Sequence, residues 1–141
     1  WNEWSELTAI RQVIERLDNV VLHLANSMTI RNVAYLAQYL NESVEVHCNR
    51  GVSGIDGCTS TALGMALSDS EKSHVLITGD LAFLYDNNAF LINELPTNFK
   101  VIVMNNEGGG IFTMIDGPAS MRELNPFMTT PHQRNCRLAC Y

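Results

Sequence analysis

Two polar residues, Asp80 and Asn106, are spaced so that they could hold a divalent cation together. Each follows a short apolar run, and their separation of 26 positions matches one strand-helix-strand unit. If the two runs are adjacent parallel strands, their ends lie about 5 Å apart. Carboxylate, amide and backbone carbonyl oxygens suit Mg²⁺ or Ca²⁺, with phosphate oxygens and water completing the shell. Gly108 and Gly109 would let the backbone turn a carbonyl towards the metal. Alternatively, Asp80 caps a helix and Asn106 lies in a turn.

Polar or glycine-rich segments follow all four of the apolar runs that we interpret as strands. Ligands of parallel α/β sheets bind beyond the carboxyl ends of the strands. The segments are Asn26-Ser27, Asn49-Arg50-Gly51 with residues 53–57, Gly79-Asp80, and residues 105–110. They predict one composite ligand site at this edge of the sheet.

Common nucleotide-binding and hydrolase motifs do not account for these segments. Gly51, Gly54 and Gly57 have the spacing G-x-x-G-x-x-G, which differs from the dinucleotide-binding fingerprint G-x-G-x-x-G. The sequence also lacks the G-x-x-x-x-G-K-[ST] loop of P-loop NTPases and the G-x-S-x-G elbow of α/β-hydrolases. The site is therefore expected to use the aspartate and asparagine described above.

The elements that must position this site alternate along the chain. Apolar runs predict strands over residues 20–25, 44–48, 75–78 and 101–104, and apolar periodicity predicts helices over residues 4–17, 29–40, 59–67 and 82–95. A last helix is expected to begin at Pro131, with Thr130 as its cap. Continuously apolar, β-branched strands that alternate with helices predict an α/β doubly wound fold, with a mostly parallel sheet and helices on both faces.

Length and composition restrict the class of protein. The chain has 141 residues, of which 46% are hydrophobic and 17% charged, as expected for one soluble globular domain. A net charge of −6 argues against a nucleic-acid-binding protein. No apolar run reaches the length of about 20 residues that crosses a bilayer, and no signal peptide opens the chain. We therefore expect a cytoplasmic location.

The four cysteines do not predict a disulfide framework. Cys48, Cys58, Cys136 and Cys140 lack the paired two-residue spacing of zinc or redox motifs. A metal site formed by His47, Cys48 and Cys58 is a less favoured alternative. Reduced thiols are the expected state. The imidazoles of His23, His47 and His74 are expected to be packed and neutral.

Several short motifs in the sequence resemble those of a known family. The pairing of Gly79-Asp80 with Asn105-Asn106 is similar to the diphosphate-binding motif of thiamine-diphosphate enzymes. The surrounding words resemble those of the SEPHCHC synthases, the MenD enzymes of menaquinone biosynthesis: NSMTIR at 26–31, NRGVSGIDG at 49–57, GDLAFLYD at 79–86 and NNEGGGIF at 105–112. The resemblance extends from about residue 20 to residue 115.

The resemblance implies a domain organisation and an assembly. Residues 1–141 would be a single diphosphate-binding domain, the C-terminal one of the family, truncated at both ends relative to the full enzyme. The chain starts at Trp1 without a methionine and stops inside an apparent helix, which agrees with this expectation. An N-terminal pyrimidine-binding domain, in a partner subunit of a homodimer or homotetramer, would supply the glutamate that activates the cofactor. The isolated fragment is then expected to be inactive, with no catalytic residue of its own.

The resemblance also implies roles for individual residues. Asp80, Asn106 and the Gly108 carbonyl would hold Mg²⁺ (or Mn²⁺) against thiamine diphosphate, and Ile55 would bend the cofactor. The other implied cofactor contacts are Gly79, Leu81 and Ala82, and the implied substrate contacts are Ser27, Arg31, Arg50, Ile111, Phe112 and Ile115. The roles of Glu107 and His132 stay open, and Asp56 and Asp86 are interpreted as caps or turn residues.

The implied reaction is that of a transferase. The full enzyme would decarboxylate 2-oxoglutarate and add the resulting succinyl-semialdehyde carbanion equivalent to isochorismate. Two alternatives stay open. One is another thiamine-diphosphate decarboxylase or acetolactate-type synthase, in which Arg31 and Arg50 would not be needed for a dicarboxylate. The other is a non-catalytic α/β module that binds a nucleotide or a protein partner.

Overall fold

A parallel sheet of four strands forms the centre of the protein. The computed structural model describes residues 5–132. The strands are β1 (Val20–Leu24), β2 (Glu45–Cys48), β3 (Ser73–Gly79) and β4 (Phe99–Met104), in the order β2-β1-β3-β4. All three pairings are parallel. The predicted α/β fold with a parallel sheet is confirmed, and the strand order reverses between β1 and β3, the point at which such sheets open a ligand crevice.

Helices cover both faces of the sheet, as expected for a doubly wound fold. The α-helices are α1 (Glu6–Ile14), α2 (Met28–Tyr35), α3 (Cys58–Ser68) and α4 (Asp80–Tyr85). Short 3₁₀ turns lie at Ala37–Tyr39, Asn87–Phe90, Gly110–Thr113 and Pro118–Ser120, and a π-helical turn at Leu124–Thr129. Within residues 5–132, none of these helices combines the length and the apolar character that a membrane crossing requires.

The main core lies between one face of the sheet and helices α1 and α2. Alternate residues of the two central strands, Leu22 and Leu24 of β1 and Val75 and Ile77 of β3, are at most 5% exposed. They pack with Ile10 and Ile14 of α1, with Val33 of α2 and with Leu36, which follows α2 directly. Because side chains alternate along a strand, the residues between them face α3 on the other side. The central strands are therefore buried on both faces, which explains their continuous apolar sequence.

The first helix begins where its capping residues dictate. The hydroxyl of Ser5 accepts a hydrogen bond from the Thr8 backbone N–H at 3.2 Å, and the Ser5 backbone N–H donates to the Thr8 hydroxyl at 2.9 Å. This reciprocal pair is a capping box in which threonine takes the place of the usual glutamate. The helix starts at Glu6 and ends at Ile14, within the predicted 4–17.

Two predicted helices are shorter than expected. The helix predicted over 29–40 ends at Tyr35, and the following turn is 3₁₀. The helix predicted over 82–95 occupies Asp80–Tyr85, and a 3₁₀ turn follows. Asp86 follows this helix, and its carboxylate accepts hydrogen bonds from the backbone N–H and the hydroxyl of Ser60, at 2.7 and 2.6 Å. This contact caps the first turn of α3, so the interpretation of Asp86 as a cap is confirmed.

The C-terminal part of the chain is only partly described. The helix expected to begin at Pro131 falls mainly on residues 133–141, outside the described residues. The π-helical turn before it was not predicted, and Thr130 follows that turn with a φ of 41°. Cys136 and Cys140 also lie outside the described residues, whereas Cys48 and Cys58 are free thiols, as predicted for those two.

Three histidines stack on the α3 side of the sheet. His23 and His74 are 4% and 1% exposed. Their imidazoles share a hydrogen bond of 2.9 Å between Nε2 of His23 and Nδ1 of His74. The ring of His47 stacks on His23 with its centroid 5.8 Å away. Burial, then the neighbouring His74 and His47, lower the pKa of His23 to about 4, and Glu45 acts in the opposite direction. The expected neutral, packed imidazole is confirmed for His23.

Truncation of the central strand tests the core. We expect Ile77→Ala to lower the free energy of unfolding by about 2–5 kcal/mol, because Ile77 is fully buried and the cavity cannot close completely. Val52→Ala is the control, since Val52 is 97% exposed, and it should change the free energy by less than about 0.5 kcal/mol. Urea unfolding measures both, and equal losses would contradict this account of the core.

The histidine stack predicts a pH dependence of stability. The pKa of His23 falls from 6.5 in the unfolded chain to about 4 in the folded protein, so the unfolded chain binds a proton in this window that the folded protein does not. The part of the stability that depends on His23 should therefore decrease as the pH falls through the window and level off below it. Urea unfolding of the native protein and of His23→Asn across this range measures the effect. Identical pH dependence in both would contradict it.

Candidate functional site

A cavity of about 290 Å³ opens at the carboxyl ends of β1, β3 and β4. All the residues implied as cofactor contacts line it, together with part of the implied substrate set: Ile55, Gly79, Asp80, Leu81, Ala82, Asn106, Gly108, Ser27, Ile111 and Phe112. Arg31, Arg50 and Ile115 are not among its lining residues. The cavity lies beside the switch point between β1 and β3, where the topology predicts a ligand crevice.

Asp80 and Asn106 converge on one backbone group in this cavity. The carboxylate of Asp80, a residue only 2% exposed, accepts a hydrogen bond from the Gly108 N–H at 2.9 Å through Oδ2. The Asn106 Oδ1 accepts from the same N–H at 3.3 Å. Two hard oxygen donors therefore meet at the edge of the sheet, as a site for Mg²⁺ requires.

Asp80 also makes a local contact of the kind expected if it caps a helix, which is the alternative interpretation of this residue. Its Oδ1 accepts a hydrogen bond from the Leu81 N–H at 2.7 Å, within the first turn of α4. The second oxygen nevertheless reaches across to the β4 loop. The Gly108 carbonyl accepts from the Gly110 N–H at 3.2 Å, so ligation by that carbonyl stays a prediction.

In the loop that follows β4, position 108 requires glycine because another segment packs against it. A Cβ at Gly108 would lie 2.6 Å from the carbonyl oxygen of Thr129, far inside van der Waals contact. The same Thr129 carbonyl accepts a hydrogen bond from the Gly109 N–H at 2.7 Å. The segment after the π-helical turn is thus held directly over the loop.

This segment brings His132 to the aspartate. The Nε2 of His132 lies 3.1 Å from Oδ2 of Asp80, and the His132 backbone N–H donates to the Glu107 carbonyl at 3.1 Å. The side chain of His132 is 11% exposed. The sequence left its role open, because a separation of 52 positions from Asp80 carries no spacing signal. Glu107, in contrast, is exposed and does not line the cavity.

Asn26 connects the loops that follow β1 and β2. It is 1% exposed, and its amide nitrogen donates to the carbonyls of Asn49 at 2.7 Å and of Gly54 at 2.6 Å. Its Oδ1 accepts from the Arg50 guanidinium at 2.7 Å. Sequence reasoning noticed Asn26 at a strand end but gave it no individual role. Its full set of contacts makes it the residue that positions Arg50.

The two implied carboxylate-binding arginines lie at the exposed rim. Arg31, in the first turn of α2, donates to the Ser27 carbonyl, and Arg50 is held by Asn26 as described. Both are exposed residues. Ile115 is 42% exposed and also lies away from the lining.

Among the described residues, three of the five non-glycine residues with a positive φ follow strands. Ser27, Ser53 and Glu107 have φ values of 73°, 57° and 64°, in the left-handed region that residues with a Cβ rarely adopt. They follow β1, β2 and β4, respectively. Such strain persists where the surrounding structure fixes the backbone, and it is common at binding sites.

Apolar side chains form the wall opposite the oxygens. Ile55 packs against Ala25, Cys58 and Ala82 and lines both the cavity and a neighbouring one of about 520 Å³. Phe112 lines both cavities as well. The site therefore combines a polar end, at Asp80 and Asn106, with an apolar end at Ile55.

A second type of metal site finds no support among the described residues. Residues 5–132 contain no group of three or more His, Cys, Asp or Glu side chains that could hold a metal ion. Burial raises the pKa of the Cys58 thiol, which disfavours the thiolate that a metal would bind. The alternative site at His47, Cys48 and Cys58 is therefore not supported by the described residues.

Glu6 is another residue that sequence reasoning missed. It begins α1, lines the cavity and contacts Asn106, with 3.4 Å between its Oε2 and the Asn106 Nδ2. Burial raises the pKa of its carboxyl. Glu6 lies outside residues 20–115, where the resemblance is strong, so only the tertiary structure brings it to the site.

Comparison with known proteins identifies several relatives that share one name. No family model matches the sequence. The 2-succinyl-5-enolpyruvyl-6-hydroxy-3-cyclohexene-1-carboxylate synthase of Cytophaga hutchinsonii is 47% identical over 137 residues, which are 95% of the chain and 24% of that protein. The synthases of the same name from Christiangramia forsetii and Bacteroides fragilis are 41% and 40% identical, over 97% and 95% of the chain.

The matches cover nearly all of this chain but a small part of each relative. The chain spans 23% of the length of the Christiangramia forsetii protein and 24% of the Bacteroides fragilis protein. The resemblance drawn from the sequence words is nevertheless confirmed, and it extends beyond residues 20–115. Over almost its entire length, the chain is a homologue of the SEPHCHC synthase family, matching a segment of about a quarter of those proteins.

Proposed function

We propose that this chain is the diphosphate-binding domain of a SEPHCHC synthase that depends on thiamine diphosphate and Mg²⁺ (or Mn²⁺). The enzyme decarboxylates 2-oxoglutarate and adds the remaining four-carbon unit to isochorismate, a step of menaquinone biosynthesis. The observation that carries the proposal is the convergence of the Asp80 Oδ2 and the Asn106 Oδ1 on the Gly108 N–H, at 2.9 and 3.3 Å. The names of the relatives support the choice of reaction.

The donor set at the polar end of the cavity suits a cation bound to a diphosphate. Asp80 contributes a carboxylate oxygen, Asn106 an amide oxygen and Gly108 a backbone carbonyl, and all three are hard ligands. Gly79 leaves open space where a Cβ would stand, so phosphate oxygens could approach its backbone closely. In the proposal these residues anchor the diphosphate end of the cofactor, and Gly79, Leu81 and Ala82 contact it.

The apolar end of the cavity suits the ring portion of the cofactor. Ile55 lies between the cavity and its apolar neighbour, and in the proposal it holds the cofactor bent. Thiamine diphosphate, when bound, supplies the electron sink for decarboxylation. The protein's part here is to orient the cofactor and to exclude water, with Ile111 and Phe112 as the apolar wall.

The arginines at the rim suit anionic substrates. An arginine offers a planar fork that matches a carboxylate, and both proposed substrates carry more than one carboxylate. In the proposal, Arg50, held by Asn26, and Arg31, at the start of α2, bind these groups together with Ser27. Ile115 completes the substrate set at the exposed edge.

The proposal includes a partner domain. The neighbouring cavity of about 520 Å³ is lined largely by apolar side chains, and two of its residues, Tyr85 and Phe127, are 72% and 75% exposed. Exposed apolar patches of this kind mark interaction surfaces. A pyrimidine-binding domain from a partner subunit of a homodimer or homotetramer would supply the activating glutamate. Residues 1–141 alone are then expected to show no turnover.

Removal of the Asp80 carboxylate tests the metal and cofactor part of the proposal. We expect Asp80→Ala to weaken Mg²⁺-dependent binding of thiamine diphosphate about 100-fold or more, since even losses behind the ligands cost 10–100-fold. Calorimetry on the protein at its full natural length measures this. Asp69→Ala, at the far end of α3, is the control and should bind normally. Binding of a nucleotide without metal, unchanged in Asp80→Ala, would instead favour a non-catalytic module.

Removal of the Arg50 guanidinium tests the choice of substrate. We expect Arg50→Ala to reduce kcat/KM for 2-oxoglutarate about 10–100-fold, because charge-assisted hydrogen bonds contribute about 1.5–3 kcal/mol each. The exposed Arg16 at the end of α1 provides the control Arg16→Ala, which should keep full activity. Retained use of 2-oxoglutarate by Arg50→Ala would favour another thiamine-diphosphate decarboxylase or an acetolactate-type synthase.

A further inference from the structure

Glu6 reaches the site from an element that precedes the whole sheet. The capping box of Ser5 and Thr8 fixes the start of α1, so the first helical residue faces the end of β4. Its Oε2 lies 3.4 Å from the Asn106 Nδ2, and its Oε1 accepts a hydrogen bond from the Asn32 Nδ2 at 3.1 Å. One carboxylate thus joins α1, α2 and the loop after β4.

The contact decides which way the Asn106 amide points. An asparagine amide has one oxygen, which can bind a cation, and one NH₂ group, which cannot. The Glu6 carboxylate accepts hydrogen bonds only, so it selects the NH₂ side. The oxygen then faces the Gly108 N–H and the Asp80 carboxylate. A rotation of the amide by half a turn would place two donors against each other at Gly108 and two acceptors against each other at Glu6.

The position of Glu6 is itself determined by its surroundings. A carboxylate in the first turn of a helix is stabilised by the helix dipole, and the second oxygen is held by Asn32. Burial raises the pKa of Glu6, and the hydrogen bonds from Asn106 and Asn32 lower it in part. Glu6 therefore lines the cavity beside the asparagine, and its carboxylate accepts hydrogen bonds from the amide groups of Asn106 and Asn32.

We propose that Glu6 is a positioning residue, which holds the Asn106 amide with its oxygen directed towards the cation. This inference rests on the proposed function, in which Asn106 binds Mg²⁺. Glu6 does not bind the cation in this proposal. It acts through Asn106, and Asn32 acts through Glu6. Residues behind the ligands commonly determine metal affinity in this way.

A double-mutant cycle tests the inference. The measured quantity is the Mg²⁺ concentration that half-saturates thiamine diphosphate binding, followed by calorimetry in the protein at its full natural length. We expect Glu6→Ala to raise this concentration about ten-fold or more. In the Asn106→Ala background, Glu6→Ala should have no further effect, because the amide that it positions is gone. Equal effects in both backgrounds would overturn the proposal, since they would mean that Glu6 acts without Asn106.

Two further variants separate positioning from folding. Glu6→Gln keeps the shape of the side chain but offers one acceptor to two flanking donors, so it should raise the Mg²⁺ requirement while thermal unfolding stays near that of the native protein. Glu15→Gln, in the exposed pair with Arg11 at the other end of α1, is the matched control and should change neither quantity. If both Glu6→Gln and Glu6→Ala need no more Mg²⁺ than the native protein does, the proposal is overturned.

The result for Asp80→Ala distinguishes a failure of the inference about Glu6 from a failure of the proposed function. If Asp80→Ala weakens Mg²⁺-dependent binding and Glu6→Ala does not, the inference about Glu6 fails and the proposed function stands. If neither variant affects the binding of thiamine diphosphate or Mg²⁺, the proposed function fails, and the inference fails with it.

Discussion

In the parallel pairing of β3 with β4, Gly79 lies opposite Met104, so the chain leaves both strands at the same level of the sheet. Asp80 follows one strand directly, and Asn106 follows the other by two residues. Their oxygens can meet at the Gly108 N–H only because this register is kept. A shift of one residue would turn Ile77 and its neighbours away from α1 and α2, so the burial of the core and the geometry of the site depend on the same pairing.

The candidate site is supported by polar contacts that the sheet alone does not provide. Asn26 uses its whole amide to fix the loops after β1 and β2, and Glu6 and His132 contact Asn106 and Asp80 from the two ends of the described chain. Buried polar groups are costly unless they are paired. The pairing found here is therefore what allows carboxylates and amides to remain at the base of an otherwise apolar cleft.

The site also changes the meaning of the net charge. A chain with a charge of −6 is a poor general partner for polyanions. Arg31 and Arg50 nevertheless lie beside the cavity at the strand ends, and a cation at Asp80 would add positive charge there. Local placement of a few groups, rather than the total, is what makes the proposed anionic cofactor and substrates compatible with this protein.

The sequence by itself determined the fold class, because continuous apolar strands separated by amphipathic segments have few other solutions. It also determined that the residues after the strands would share one edge, and its words identified the relatives. It did not determine the length of the helix at Asp80, which ends at Tyr85 although the apolar pattern predicts a helix as far as residue 95. It placed Asn26 at the edge of the site without its contacts, and it did not indicate Glu6 or His132 as partners of the site. Those contacts join residues 100, 28 and 52 positions apart, and such distances leave no periodic signal. They arise only when the packed helices and loops return to the carboxyl edge of the sheet.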